Sequence, residues 1–355
     1  MPKKLNMKYL IKLILFFLIS VNSYSQIKND TFQKILNIYS DSLQSKKYGI
    51  VNLTKHKNII YKSQIGWASE TEKMTSDKIF NIGSLTKMFT SVLILQEIEK
   101  GKLKLNDTIG IFFSKNKNVD SKITIEELLR HKSGLGEIVI DSILNNSFGD
   151  YEYEYNHSFL YNLIPKKQFN KGEKYLYTNT NYQLLGYILE MINDKPYSKI
   201  VEERIFEPCK MKSSYTYFSK TINNIAHPMF NGEDLLEQLN YRFYYNLAYS
   251  AGCISSNLND LELFFTSLYE SDKLISRETF NKMTEFQDNY GLGIEKIKVN
   301  TKKEYYLIGH SGDNVSFKIR NWYNPKTKDL IITISNQMGE KYIGKINSEI
   351  IKELE

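Results

Sequence analysis

Ser84 and Lys87 stand three residues apart in the stretch FNIGSLTKMFTS, residues 80–91. Serine is an ordinary N-cap. Lysine in a first helical turn is not, because the positive end of the helix dipole disfavours a cation there. Residues three apart on a helix share a face, so the Lys87 amine can approach the Ser84 hydroxyl from the next turn. A lysine held partly out of water can lose its proton and accept one from serine, which makes the serine a nucleophile. The N–H of Ser84, free at a helix start, could also donate to an oxyanion. The plainer reading is a capping serine with an exposed lysine. The same S-x-x-K spacing recurs at Ser25–Lys28 and Ser114–Lys117. The first lies at the end of a leader-like segment and the second in a charged loop without apolar periodicity. Only Ser84 opens an amphipathic helical run, which the pattern ends at Gly101.

Two more stretches carry chemistry. Tyr177-Thr178-Asn179 precedes a helical run; a phenol near cations can shuttle protons, and asparagine can donate to a substrate carbonyl. A stacked tyrosine and a capping asparagine are the plainer reading, and Tyr244-Tyr245-Asn246 repeats the pattern. GHSGDN, residues 309–314, closes a strand-like run. Gly312 there would let a substrate backbone approach closely, and the strand edge could pair with a peptide-like substrate. His310 could carry charge or donate to a carboxylate. A turn with an incidental histidine is the alternative.

The elements that must hold these residues follow from periodicity. Residues 30–46 carry apolar positions at helical spacing. Two β-rich runs broken near residues 55–57 predict a hairpin. From Ser84 to about residue 240 the pattern is helices and loops, among them TIEELLRHKSG, capped by Thr124 and stopped by Gly134, then NTNYQLLGYILEMI, then SNLNDLELFFTSLYES beyond them. Four alternating or apolar runs from YGLGIEKIKV to KDLIITISNQ predict successive antiparallel strands, and KYIGKINSEIIKELE a closing helix. Strands at both ends with helices between them imply an α+β chain. It would have one split α/β lobe, about 26–80 and 245–355, one mostly helical lobe, about 81–244, and a site in the cleft between them.

With these motifs in this order, the chain resembles the serine β-lactamase and penicillin-binding protein superfamily, and within it the class C β-lactamase and D-Ala-D-Ala carboxypeptidase branch. GKLKLNDTI, FEPCKMKSS, SAGCISSNLNDLELF and YGLGI add to the likeness, which runs from about residue 30 to 340. It implies a β-lactamase/transpeptidase-like fold, an antiparallel sheet flanked by helices. It further implies Ser84 as the acylated nucleophile, Lys87 and Tyr177 sharing the acid–base work, and Asn179 binding the substrate amide. The N–H groups of Ser84 and Asp313 would form the oxyanion hole, with His310, Ser311 and Gly312 as the substrate-binding strand. His310 stands where class C enzymes usually carry lysine, as in some carboxypeptidases and esterases of the branch, which weakens the hold on a carboxylate. FEPCKMKSS lacks the glycine usual before its methionine. The implied activity is hydrolysis, through an acyl-enzyme, of D-amino-acid peptides, amides or esters. The alternatives are a class C-like β-lactamase and a non-catalytic penicillin-binding sensor.

Composition narrows the partners. The formal charge is +7. Lys3, Lys4, Lys8 and Lys12 supply four of it, leaving +3, so the basic balance says little for nucleic acid. Those lysines precede LILFFLISV, too short for a membrane span. They read as a secretory signal over 1–25, cleaved near Ser25–Gln26, with an uncleaved anchor as the alternative. The expected location is therefore the periplasm or outside the cell. The expected partner is a small-molecule or peptide substrate, cell-wall peptide included. The histidines show no metal-ligand spacing, so neither metal nor cofactor is expected, and His131 reads as support for the fold. Cys209 and Cys253 read as small buried hydrophobes rather than a pair. The Tyr-rich run 241–249 reads as core rather than cleft lining.

Overall fold

The structure, a computed structural model, describes residues 26, 28–45, 47–113, 116–138, 161–237, 248–300, 304–314, 316–337 and 341–355. The leader, Ser114, His157 and the repeat Tyr244-Tyr245-Asn246 lie outside them. Helix α1 (28–37) is followed after a turn by α2 (Ser40–Ser45). One continuous helix was expected here. The turn at 38–39 re-aims the second half, so that Leu43 joins Phe32 and Leu36 in one cluster beneath the sheet.

Strands β1 (Gly49–His56) and β2 (Ile59–Gly66) form the hairpin. Its two turn residues, Lys57 and Asn58, both take positive φ, the geometry whose twist suits a two-residue hairpin. Two short pairs follow in the chain, β3 (Phe80–Asn81) with β6 (Ser255–Ser256) and β4 (Met229–Phe230) with β5 (Glu233–Asp234). With β7 (Glu295–Asn300), β8 (Glu304–Asn314), β9 (Phe317–Tyr323) and β10 (Leu330–Ser335), β1 and β2 build one antiparallel sheet, in the order β2-β1-β10-β9-β8-β7. Both β1 and β10 are buried throughout, as central strands covered on both faces must be. On one face, Ile50, Trp322 and Ile331 meet α1 and the last helix (Ile343–Leu354). On the other, Val51, Leu53, Ile319 and Ile332 join the larger core.

Helix α3 (Thr86–Glu99) runs through the middle of that core. It departs from the expectation of an amphipathic helix with an exposed polar face: Thr86 to Leu95 are all buried, the polar Lys87, Thr90 and Ser91 included. Phe89 stacks on Phe264 at 3.7 Å, from the helix Leu258–Glu270, whose cap is Asn257. Helix α4 (Ile125–Leu129) carries the Thr124–Glu127 capping box. It stops at Arg130, ahead of the expected Gly134, because His131 turns into the left-handed region. Helix α5 (Asn179–Asn193) is capped by Thr178. Cys209 and Cys253 are buried and unbonded. Of the Tyr-rich run, Tyr249 stacks on Tyr187 at 4.9 Å within the helical core. Among the described residues no helix is long and apolar enough to cross a membrane.

Candidate active site

Ser84 does not cap the helix. It sits in a single 3-10 turn, Gly83–Leu85, and α3 begins two residues later with Leu85 at its cap position. That turn is held by the residues beside it. Asn81, on the short strand β3 (Phe80–Asn81), accepts the Gly83 N–H at 2.9 Å and donates to the carbonyls of Gly252 and Cys253. Asn314 donates to the same Asn81 oxygen. Gly83 has φ +51, and a Cβ there would lie 2.9 Å from the Asp313 carbonyl oxygen. The end of β8 is therefore packed directly onto the nucleophile turn.

Gly312 has a different use from the one expected. A Cβ at 312 would meet the Ile82 carbonyl at 2.2 Å and Ile319 Cγ2 at 2.4 Å. The close approach it permits here is that of the protein's own nucleophile turn.

The structure brings Ser84, Lys87, Tyr177 and Asn179 together. Lys87 is fully buried, with Nζ 3.0 Å from Ser84 Oγ, 2.7 Å from Asn179 Oδ1 and 2.9 Å from the Ala251 carbonyl. Burial lowers its amine to about 7, against the opposing pull of Glu137 and Glu295. This geometry suits a neutral amine. Its two N–H groups meet the two oxygen acceptors, and the lone pair is left for the serine hydroxyl. The Tyr177 ring lies 4.8 Å from Lys87 Nζ. Burial pushes its phenol well above 10, which a hydrogen bond with Ser84 only partly offsets. Tyr177 therefore keeps its proton at neutral pH.

His131 underlies this group. Its ring sits 4.3 Å from that of Tyr177, fully buried, and Nδ1 accepts the Thr178 N–H at 3.2 Å. Burial, then the Lys87 charge, hold it well below its usual range, so it is a neutral support for Tyr177-Thr178-Asn179.

His310 is likewise enclosed by the protein. It is fully buried, and Nε2 is 2.9 Å from the Tyr290 hydroxyl while Nδ1 is 2.5 Å from the Ser311 carbonyl. The carbonyl requires a hydrogen on Nδ1, so Nε2 accepts from Tyr290. Burial lowers its affinity for a proton, against the pull of Glu295. The expected charge or free donor for a substrate carboxylate is thus absent: both ring nitrogens are spent inside the protein. The Ser311 hydroxyl is likewise turned to Glu295, at 3.0 Å. Asp313 is exposed and pairs with Arg320 at 3.2 Å. Its N–H is another matter. Ser311 N–H points out of the sheet edge toward Glu295, and alternate residues of an antiparallel strand turn the same way, so Asp313 N–H faces that edge beside Ser84.

Four residues of this site escape the motifs. Glu137 accepts from Thr178 Oγ1 and from Asn179 N–H, both at 2.7 Å, and so anchors the start of α5. Glu295 anchors Ser311, Tyr290 anchors His310, and Asn81 anchors the nucleophile turn. Only their positions close to GLG, YGLG and the nucleophile stretch hint at them. Of the other described histidines, His56 pairs with Asp329 at 2.7 Å and His227 with Asp234 at 2.5 Å. Among the described residues no three His, Cys, Asp or Glu side chains gather as metal ligands.

Known proteins are similar to this chain in sequence and in fold. The chain is similar to PbpX of Bacillus subtilis (strain 168), 25% identical over 342 residues that cover 92% of this chain and 80% of that one. It is also similar to penicillin-binding protein 4* of the same organism, 24% identical over 300 residues, 74% of this chain and 62% of that one. Among solved structures, the D-amino acid amidase from Ochrobactrum anthropi SV3 superposes with a TM-score of 0.77 at 19% identity, over 92% of this chain and 97% of that one. The D-stereospecific amidohydrolase from Streptomyces sp. gives 0.74 at 22% identity, over 87% and 94%. The fold is thus β-lactamase/transpeptidase-like, an α+β arrangement of an antiparallel sheet with flanking helices. Residues 49–353 match the Beta-lactamase family, and the chain belongs to that family of serine hydrolases, within the serine β-lactamase and transpeptidase superfamily.

Proposed function

We propose that this protein is an exported serine hydrolase that works through an acyl-enzyme on D-amino-acid amides, peptides or esters. The observation that carries the reading is the buried Lys87 amine, brought to about 7 and aimed at Ser84 Oγ from 3.0 Å. A base near the working pH is what general-base activation of a serine requires.

Ser84 Oγ attacks the substrate carbonyl while its proton passes to Lys87. The developing oxyanion is received by the N–H groups of Ser84 and Asp313. Asn179 spends its oxygen on Lys87, which leaves its amide N–H groups for the substrate. Tyr177, protonated and bonded to Ser84, gives its proton to the leaving nitrogen or oxygen and is refilled from Lys87. Water then attacks the acyl-enzyme and the same groups run in reverse. The D-amino-acid class is supported by the fold shared with the amidase from Ochrobactrum anthropi and the amidohydrolase from Streptomyces. Export is supported by the leader-like residues 1–25. The substrate is small, cell-wall peptide included. A purely binding role, as in a penicillin sensor, gives no use to a lysine held at such a cost in desolvation.

A fluorophosphonate and a fluorescent penicillin test the reading, with the adduct mapped by mass spectrometry. Labelling on Ser84, lost in Ser84→Ala, is the expected result. Equal labelling of the variant would end the assignment. A panel of a D-amino-acid amide, a D-Ala-D-Ala peptide, a cephalosporin and a short aryl ester then ranks the leaving groups.

A further inference from the structure

Strand β8 is longer than its neighbour. Pairing with β7 ends at Glu295 opposite Gly309, so residues beyond 310 present an open edge on that side. This edge holds the donors that an acceptor group on a ligand would use, the N–H and hydroxyl of Ser311. Both are already taken. Ser311 N–H donates to Glu295 Oε2 at 3.1 Å, and Ser311 Oγ lies 3.0 and 3.1 Å from the two Glu295 oxygens. A carboxylate from the first residue of β7 thus fills the place where a substrate carboxylate would bind.

No lysine or arginine among the described residues forms an ion pair with that carboxylate, although its charge reaches Lys87. Among the described residues its one ion-pair neighbour is the His310 ring, at 3.7 Å, whose Nδ1 hydrogen is spent on the Ser311 carbonyl. Arg320, the nearest guanidinium on β9, is bound to Asp313 and to the Ile319 carbonyl at 2.7 Å. Lys296, next in sequence, lies over the rings of Phe286 and Tyr306. Lys87 is buried and committed to Ser84, Asn179 and Ala251. The Glu295 side chain keeps about a quarter of its surface open, 23%. Two donors fix it, and a carboxylate has lone pairs beyond two.

We infer that Glu295 is a specificity residue of this site: held in place by Ser311, it receives an ammonium group of the substrate, so the enzyme favours acyl donors with a free amine and rejects those that present a carboxylate at the β8 edge. An incoming carboxylate would have to displace Glu295 from both donors and face its charge. An ammonium meets an acceptor already oriented, at no cost in rearrangement. The inference rests on the acyl-enzyme reading above and adds the charge of the substrate to it.

The test measures kcat/KM for D-phenylalanine amide against its N-acetyl form, and for a D-Ala-D-Ala peptide against its C-terminal amide, in wild type, Glu295→Gln and Ser311→Ala. Each ratio cancels changes in the catalytic step common to both substrates. A hydrogen bond to a charged group is worth a factor of about 10 to 100, so wild type should favour the free amine by at least about tenfold, and Glu295→Gln should bring that ratio near one. Ser311→Ala keeps Glu295 but releases it, and should lower the ratio in part; it serves as the reporter if Glu295→Gln does not fold. Wild type should also favour the C-terminal amide over the carboxylate. A wild-type ratio at or below one, or ratios unchanged in both variants, would overturn the inference. Fluorophosphonate labelling of Ser84 in each protein separates the two failures. Labelled Ser84 with unchanged ratios rejects the role of Glu295 alone, whereas unlabelled Ser84 rejects the acyl-enzyme and this inference with it.

Discussion

Replacing Lys87 by methionine interrogates the general base without any substrate. In the folded protein burial brings the amine from 10.5 to about 7. In the unfolded chain it keeps its proton to the ordinary lysine range. Between those values the unfolded state binds one more proton than the folded state, so wild-type stability rises with pH across that window and is flat below it. One proton is worth about 1.4 kcal/mol per pH unit, so between about pH 6 and about pH 9 the wild type should gain about 3 kcal/mol relative to Lys87→Met. The absolute difference at one pH mixes in other terms. Methionine relieves the buried charge, yet it leaves the Asn179 and Ala251 oxygens without their donor, at about 1–3 kcal/mol each. The pH dependence isolates the amine, because other titrating groups contribute to both proteins and cancel in the difference. Urea unfolding of the two proteins at both pH values measures it. Parallel stability curves would mean that Lys87 stays charged in the folded state throughout, and a permanently charged lysine accepts no proton from Ser84.

Two further outcomes follow from the site. Gly312→Ala would place its Cβ 2.2 Å from the Ile82 oxygen. That displaces β8 from the nucleophile turn by roughly 1 Å and should slow labelling of Ser84 about 100-fold, with about 1–3 kcal/mol lost to overpacking; a variant that labels and melts like wild type would contradict the packing described. Glu137→Gln removes a charge that raises the Lys87 pKa, so the acidic limb of the labelling rate should move to lower pH, and about 0.3–1 kcal/mol of stability should go with the anion at the start of α5. Movement of that limb to higher pH would refute the electrostatic account.

Most of the scaffold was legible because it obeys local rules. The Lys57–Asn58 hairpin, the Thr124 box, the Asn257 cap and the strands β7 to β10 are written in turn residues, caps and alternation over a few positions. Ser84, Lys87, Tyr177 and Asn179 were legible as short motifs in a fixed order, and the structure brings their side chains together. The errors arise where distant segments decide the outcome. Ser84 looks like a cap, but Asn81, Asn314 and Gly252 hold it in a 3-10 turn instead. The helix after it looks amphipathic, but Asn179 and Ala251 close over Lys87, and Tyr197 and Ser250 over Thr90, so its polar residues are buried as well. His310 looks available to substrate until Tyr290, twenty residues earlier, closes over it. Glu137 and Glu295 each belong to no pattern, and their partners lie 41 and 16 residues away.

The sheet has one more consequence, for the order in which the molecule can be made. One of its inner pairs joins β1, near the start of the described chain, to β10, near the end, with Ile50 opposite Ser335. The nucleophile turn waits in the same way for β8, which arrives more than two hundred residues after it. A growing chain can therefore form its helices early, but β1 keeps an unpaired edge and Ser84 an unfinished site until the last strand emerges. Closing such long loops is slow, and it couples the completion of the catalytic group to the completion of the fold. A chain that stops short of residue 330 should have no partly active form: hydrolase activity would be gained all at once, by the finished protein.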